Sequence, residues 1–268
     1  MHRGVTLHEL KRFEEALASY GQALTIRPDY AEACSNCGVT LHELQRFGEA
    51  LVSYDRALAL RPDYAEALYN RGITLHGLRR FGEALESYDR ALMLRPDYAE
   101  ALYNRGNTLG QLKRFEEALA SYDGALAVRP DYADVHFSEA LFRMLIGDFV
   151  QGWQKNEWRW KTAQARNEKR DFVQPLWIGS DEILGKTILL HAEQGLGDTI
   201  QFCRYVSYVV ERGARVILEV QRPLHALMST LSGAMQIISK GDPLPDFDLH
   251  CPLLSLPLAF GTQLDTTI

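Results

Sequence analysis

Apolar positions in the first half of the chain recur with two periods. Within a segment they fall three or four residues apart, as do Leu68, Gly72, Leu75 and Leu78, and then Ala84, Leu85, Tyr88, Ala91 and Leu92. Each set marks one face of a helix. The whole pattern then returns after 34 residues: Arg-Pro-Asp-Tyr-Ala begins at 27, 61, 95 and 129, and residues 65–98 and 99–132 are nearly the same text. That period fits two helices of about 12–14 residues joined by short turns.

The polar punctuation supports helical hairpins. Pro28, Pro62 and Pro96 stop the preceding helix, and Arg27, Arg61 and Arg95 suit its negative C-terminal end. Asp29, Asp63 and Asp97 precede Glu32, Glu66 and Glu100 by three residues, the spacing of a capping box with Asp as the cap. Small residues recur as well, Gly4, Gly38, Gly72 and Gly106 on first helices and Ala16, Ala50, Ala84 and Ala118 on second ones. A glycine inside a helix costs about 1 kcal/mol against alanine, so a periodic one implies close approach of a neighbouring helix.

The set Gly72, Ala84, Tyr88, Ala91 and Pro96, repeated in register, resembles the tetratricopeptide repeat (TPR) family over about half the chain. The resemblance implies a right-handed superhelix whose concave surface, lined by first helices, holds a peptide or an extended protein segment. Asn36, Asn70 and Asn104 recur at the same position, beside Ser35, Tyr69 and Tyr103. An amide carries a donor and an acceptor, so a row of them can pair with a peptide backbone whatever its sequence. The row resembles the asparagine ladder in the repeat domain of O-linked N-acetylglucosamine transferases. The other reading is that each Asn bridges adjacent repeats or faces water. The row breaks at the N-terminus, where His2 takes the Asn position.

The first repeat lacks about four residues of its first helix, so an array cut there or continuing upstream is expected. From Ala133 a degenerate copy begins, with Gly147-Asp148-Phe149 at the inter-helix turn and Gly152-Trp153 in place of Ala-Leu. The stretch to Arg170, with Trp153, Trp158 and Trp160, reads as a capping helix closing the array. Its basic residues, Lys155, Arg159, Lys161, Arg166, Lys169 and Arg170, read as a solvated face, or as an attraction for an acidic partner. The expected division is 1–132 for the array, 133–170 for the degenerate repeat and cap, and 171–268 for a second domain.

In that second domain the apolar run Thr187–Leu190 leads into His191-Ala192-Glu193-Gln194-Gly195-Leu196-Gly197-Asp198. An amphipathic helix follows, with Ile200, Cys203, Val206, Ser207 and Val210 on one side and Gly213 as its stop, and then the buried-strand pattern Arg215–Val220. Further strands are expected near 236–239 and 247–250, with a helix around 253–260. The fold class is therefore an α-helical TPR superhelix followed by a partial α/β Rossmann-like domain. Ligands of such sheets bind beyond the carboxyl ends of the strands, which would gather Gln194, Gly195, Gly197, Asp198, Thr199, Gln221 and His250 around one crevice. The text GLGDTI departs from the dinucleotide GxGxxG fingerprint, and Asp198 could serve simply as a helix N-cap.

Residues 190–199 and 247–254 resemble the N-terminal half of GT-B, heptosyltransferase-like glycosyltransferases. That resemblance implies an acceptor or phosphate loop at Gln194, Gly195, Gly197 and Thr199, with Asp198 the candidate base for the acceptor hydroxyl. The nucleotide-sugar donor of such enzymes binds mainly in a second Rossmann domain, which should begin where this sequence ends, at Thr266-Thr267-Ile268. The chain is therefore expected to carry no cofactor and to be inactive alone, becoming a glycosyltransferase only if completed.

The net charge of −6 argues against nucleic acid, whose phosphates call for a basic surface. No apolar run reaches the ~18–20 residues needed to span a bilayer, and the start of the chain lacks a signal-peptide core. The cytoplasm is the expected compartment, and self-association through exposed repeat ends is possible. Cys34 and Cys37 have CxxC spacing, but no second pair completes a zinc set, and neighbouring repeats carry Leu68 and Arg71 there. Both are read as structural, and no metal is expected. A peptide-binding scaffold fused to an incomplete transferase-like domain is the expectation; a fragment of a TPR-containing glycosyltransferase is the alternative.

Overall fold

The structure, a computed structural model, describes residues 1–163, 170–180, 182–193, 195–263 and 265. They form two compact units, Met1–Val135 and His136–Ile268.

The first unit is a run of antiparallel helix pairs: α1 (His2–Glu9) with α2 (Phe13–Ile26), α3 (Ala31–Glu43) with α4 (Phe47–Leu60), α5 (Ala65–Gly77) with α6 (Phe81–Leu94), and α7 (Ala99–Gln111) with α8 (Phe115–Val128). The periodic glycines and alanines set the spacing within pairs. Ala16, Ala50, Ala84 and Ala118 are fully buried. At each periodic glycine the ring of Tyr20, Tyr54, Tyr88 or Tyr122 occupies the space that a Cβ would take. Apolar residues gather in small clusters that repeat along the array; one joins Cys34, Ala57, Leu58, Ala67, Leu68 and Ala91 across adjacent repeats. Such an array is held by neighbour-to-neighbour contacts.

The capping-box expectation is overturned. Helices α3, α5 and α7 begin at Ala31, Ala65 and Ala99, with Tyr30, Tyr64 and Tyr98 at the cap and no side-chain capping bond. The glutamates turn instead to the arginine that closes the same repeat: Glu32 to Arg61, Glu66 to Arg95 at 2.9 Å, and Glu100 to Arg129. Those guanidinium groups also lie over Tyr64, Tyr98 and Tyr132, at 4.6, 3.5 and 4.4 Å from the ring centroids. A planar cation can stack on a ring and bond a carboxylate at once, which explains why the motif joins Arg to Tyr.

Each turn between a first and a second helix contains one left-handed residue, Lys11, Gln45, Arg79 or Lys113, with φ of 58–60°. In the degenerate copy Gly147, at φ +89°, takes that place.

In the second unit the remainder of α9 (Ala133–Leu145) is followed by α10 (Phe149–Asn156) and a 3-10 turn, Glu157–Lys161. Four parallel strands follow, β1 (Thr187–His191), β2 (Arg215–Val220), β3 (Gln236–Ser239) and β4 (Leu249–Pro252), in the order β3-β2-β1-β4. The expected single helix is two, α11 (Leu196–Phe202) and α12 (Tyr205–Glu211), and Gly213 follows with φ +83°. The last strand starts at Leu249, and just before it the Asp248 carboxylate accepts the Thr187 amide at 2.7 Å while its own amide donates to the Thr187 carbonyl at 2.8 Å. A further short helix, α14 (Leu256–Ala259), lies within the expected range.

One face of the sheet, through Ile188, Leu190, Val216, Leu218 and Cys251, packs against Phe202, Tyr205, Val206 and Trp177, and Trp153 of α10 joins this core. The other face, through Leu189, Ile217 and Ile238, lies under Phe172, Leu244 and Phe247. The second unit is thus an α/β Rossmann-like domain. Among the described residues, no helix is long and apolar enough to cross a membrane.

Candidate functional site

Two sets of residues merit attention: the exposed stripe of the first helices, and the carboxyl ends of β1, β2 and β4.

Asn36, Asn70 and Asn104 are all partly buried, at equivalent places on α3, α5 and α7. Their side chains are not equivalent. The Asn104 amide donates to the Tyr69 hydroxyl at 3.0 Å and to the Glu100 carbonyl at 3.1 Å, which ties repeat to repeat. One repeat earlier the position of Tyr69 is held by Ser35, a short and buried side chain without that reach. Among the described residues, the Asn36 and Asn70 side-chain amides have no hydrogen-bond partner. Tyr69 is wedged between Tyr88 and Tyr98, at 6.2 and 4.7 Å between ring centroids, and Tyr103 between Tyr122 and Tyr132, at 6.3 and 5.5 Å.

A second periodic set escaped sequence reasoning. The Nδ1 atoms of His8, His42 and His76 lie 3.0, 2.9 and 2.8 Å from the hydroxyls of Thr40, Thr74 and Thr108 in the following repeat. Each hydroxyl donates to a backbone carbonyl, that of Asn36, Asn70 or Asn104. Its proton being so used, the hydroxyl accepts from the imidazole, and Nδ1 carries the hydrogen. Burial pulls the His42 and His76 pKa down, which favours the neutral ring. The recurrence of His and Thr at 34-residue intervals was the available signal.

In the second unit the chain turns back between β3 and β4, so the strand order reverses between β1 and β4. Ligands of open α/β sheets bind at such a reversal. Here Arg159, only 2% exposed, fills it. Its guanidinium bonds Glu193 at 2.9 Å, Glu157 at 2.7 Å and the Ser255 hydroxyl at 2.9 Å, while Leu254 N–H donates to Glu193 at 3.2 Å. The two carboxylates raise the pKa of Arg159 against its burial, and the buried Glu193 carboxyl is pushed up by desolvation against the pull of Arg159.

Among the described residues of the basic stretch, Lys155, Arg159 and Arg170 are paired with carboxylates and are not simply solvated. Lys155 pairs with the fully buried Glu139 at 2.7 Å, Lys161 lies 3.7 Å from the Trp158 ring centroid, and Arg170 pairs with Glu219. Arg166 and Lys169 lie outside the described residues.

Of the expected loop, Gln194 lies outside the described residues. Gly195 is the N-cap of α11, not Asp198, which stands three residues into the helix and accepts the Gly195 amide at 3.1 Å. Thr199 is buried and donates to Gln221 at 2.9 Å, so these two do meet at the ends of β1 and β2. A Cβ on the exposed Gly197 would meet nothing within 4 Å, so no neighbouring group requires a glycine there. His250 is not with them. It sits on the opposite face of the sheet, 3.3 Å from His191 and packed on Phe172. Burial drives the His191 pKa down to about 3. Burial also raises both CxxC thiols, Cys37 to about 11, which leaves them poor nucleophiles. Among the described residues, no group of three His, Cys, Asp or Glu side chains could hold a metal ion.

Family models of the tetratricopeptide repeat match residues 4–45 and 40–78, and then 65–98 and 99–132. No curated protein matches the chain. Among solved structures, MamA is similar with a TM-score of 0.56 at 20% identity, over 63% of this chain and 99% of that one. PilF of Pseudomonas aeruginosa is similar with a TM-score of 0.56 at 23% identity, over 61% and 73%. YrrB, a TPR protein with an unusual peptide-binding site, is similar with a TM-score of 0.51 at 22% identity, over 59% and 81%. At these identities the likeness is one of fold. Residues 4–132 are a tetratricopeptide-repeat array, and a Rossmann-like α/β unit follows it.

Proposed function

We propose that this protein binds an extended polypeptide along the first helices of its repeat array and acts as a scaffold. The observation that carries the reading is the pair of partly buried amides, Asn36 and Asn70, at one position of successive repeats and without partners among the described residues. Such amides are open to solvent, and a passing backbone offers a donor and an acceptor in place of water. The peptide-binding site named for the similar YrrB is in keeping with this. Titration of fluorescent peptides is the test. Replacing Asn36 and Asn70 together by Ala should weaken binding about tenfold or more with little loss of stability, since two hydrogen bonds are worth about 1–3 kcal/mol. Unchanged affinity removes the amides from the mechanism.

A second reading concerns the α/β unit and is favoured by Asp198 standing in the first turn of α11, beyond the carboxyl end of β1. In a longer protein with a second Rossmann domain, this unit would form the acceptor side of a glycosyltransferase, with Gly195, Gly197 and Thr199 shaping the loop. Asp198 would take the proton of the acceptor hydroxyl as its oxygen attacks the anomeric carbon and the nucleoside diphosphate leaves. The array would then choose the acceptor, in the cytoplasm. Asp198→Asn keeps an acceptor for the Gly195 amide, so it should preserve the fold and abolish transfer; retained turnover would sink the assignment.

A further inference from the structure

We propose that the repeat groove selects a basic, aliphatic segment and rejects an acidic one. This rests on the peptide-binding reading above and adds the chemistry of the ligand. The stripe that carries Asn36 and Asn70 continues along each first helix at three and seven residues further on, positions that share a face. At the first step the residues are Val5, Val39 and Ile73, followed by Asn107. The three aliphatic side chains are partly exposed, and Val5 reaches 36%. The fourth position is polar and engaged, for Asn107 accepts the Tyr122 hydroxyl at 2.7 Å.

At the second step stand Glu9 and Glu43, both exposed, and then Gly77 and Gln111. Among the described residues, neither glutamate has an ion-pair partner. Five arginines of the array are engaged elsewhere. Arg71 bonds Asp55 and Ser87, and Arg105 bonds Asp89 and Ser121, on the side facing the second helices. Arg61, Arg95 and Arg129 are held by Glu32, Glu66 and Glu100. The stripe thus presents an aliphatic row flanked by negative charge over the first two repeats, grading to amides in the fourth.

The occupant that fits is an extended segment with Val, Ile or Leu side chains set on Val5, Val39 and Ile73, and Lys or Arg beside Glu9 and Glu43. An acidic segment would meet the exposed carboxylates of Glu9 and Glu43 instead.

The test is selection of a displayed random dodecapeptide library by the full chain, followed by titration of the enriched peptides. Enrichment of Lys or Arg together with Val, Ile or Leu is expected. Glu9→Lys with Glu43→Lys should weaken those peptides by about tenfold at low salt and shift enrichment toward acidic ones, the scale expected from reversing two exposed charges. Both positions are exposed, so the fold should survive, as thermal melting will check. Peptides that need Asn36 and Asn70 but show no preference in charge would overturn this inference and leave the groove standing. Peptides indifferent to Asn36→Ala and Asn70→Ala would overturn the groove reading and this one with it, as would a library that yields no binder.

Discussion

Tyr88 lies across the backbone of Gly72 so closely that a Cβ at residue 72 would stand 2.5 Å from ring atom Cε1. The ring is itself buried to 1% exposure and has no free side to move toward. Gly72→Ala should therefore destabilise the array by about 1–3 kcal/mol despite the better helix propensity of alanine. Adding Tyr88→Leu should recover part of the loss, because the clash and not the backbone is the cause. A melting temperature unchanged by Gly72→Ala would contradict the packing described.

Acid should loosen the protein earlier than its carboxylates alone would. The neutral rings of His42, His76 and His191 have folded pKa values below that of an unfolded histidine, near 6.5. The unfolded chain then binds more protons, so stability falls as pH drops below 6.5. For His191, held at about 3, the loss at pH 5 is roughly 2 kcal/mol at 1.36 kcal/mol per pH unit. Melting temperatures between pH 7.5 and 5 check this. His42→Gln with His76→Gln should flatten the profile of the array, since an amide can still donate to Thr74 and Thr108.

Arg159 is the sole described cation within bonding reach of Glu193, and both are almost fully buried. Arg159→Met would leave that carboxylate buried and unpaired, at a cost of about 3–5 kcal/mol. The α/β unit should lose its hydrogen-exchange protection while the array keeps its own. Equal protection in both units would show that Glu193 is not dependent on Arg159.

Tyr69→Phe removes the hydroxyl that receives the Asn104 amide. Stability should change by no more than about 1 kcal/mol. Peptides long enough to reach the fourth repeat should bind several-fold tighter, as a third amide becomes available. Weaker binding would mean that the Tyr69 hydroxyl itself contacts the ligand.

The array was legible because its information is local and repeated: the spacing of Gly72, Ala84 and Tyr88 returns at each repeat and has one physical meaning. The capping error shows the limit of that reasoning. Asp29 and Glu32 have the spacing of a capping box, but the pull of Arg61 on Glu32 and of Tyr64 on Arg61 comes from the far end of the repeat. The strands were legible as apolar runs, whereas the break between α11 and α12 was not, because Cys203 and Arg204 carry no stop signal. The candidate site was legible in part. Thr199 and Gln221 meet as the carboxyl-end rule requires, but His250 was placed on the wrong face, since the register that pairs it with Leu189 cannot be read from one strand. Arg159 was hidden for a related reason. Its partners Glu193 and Ser255 are 34 and 96 residues away.

The packing of Trp153 and the burial of Arg159 have a bearing on how such a protein can be inherited. Both come from the degenerate hairpin, yet one packs against the core of the sheet and the other neutralises Glu193 at the end of β1. A crossover in the gene just before residue 171 would hand on a sheet with a hole in its core and an orphan carboxylate. Recombination that keeps the α/β unit foldable must carry the hairpin with it, so shuffling of repeat number is free only upstream of the hairpin, before residue 133.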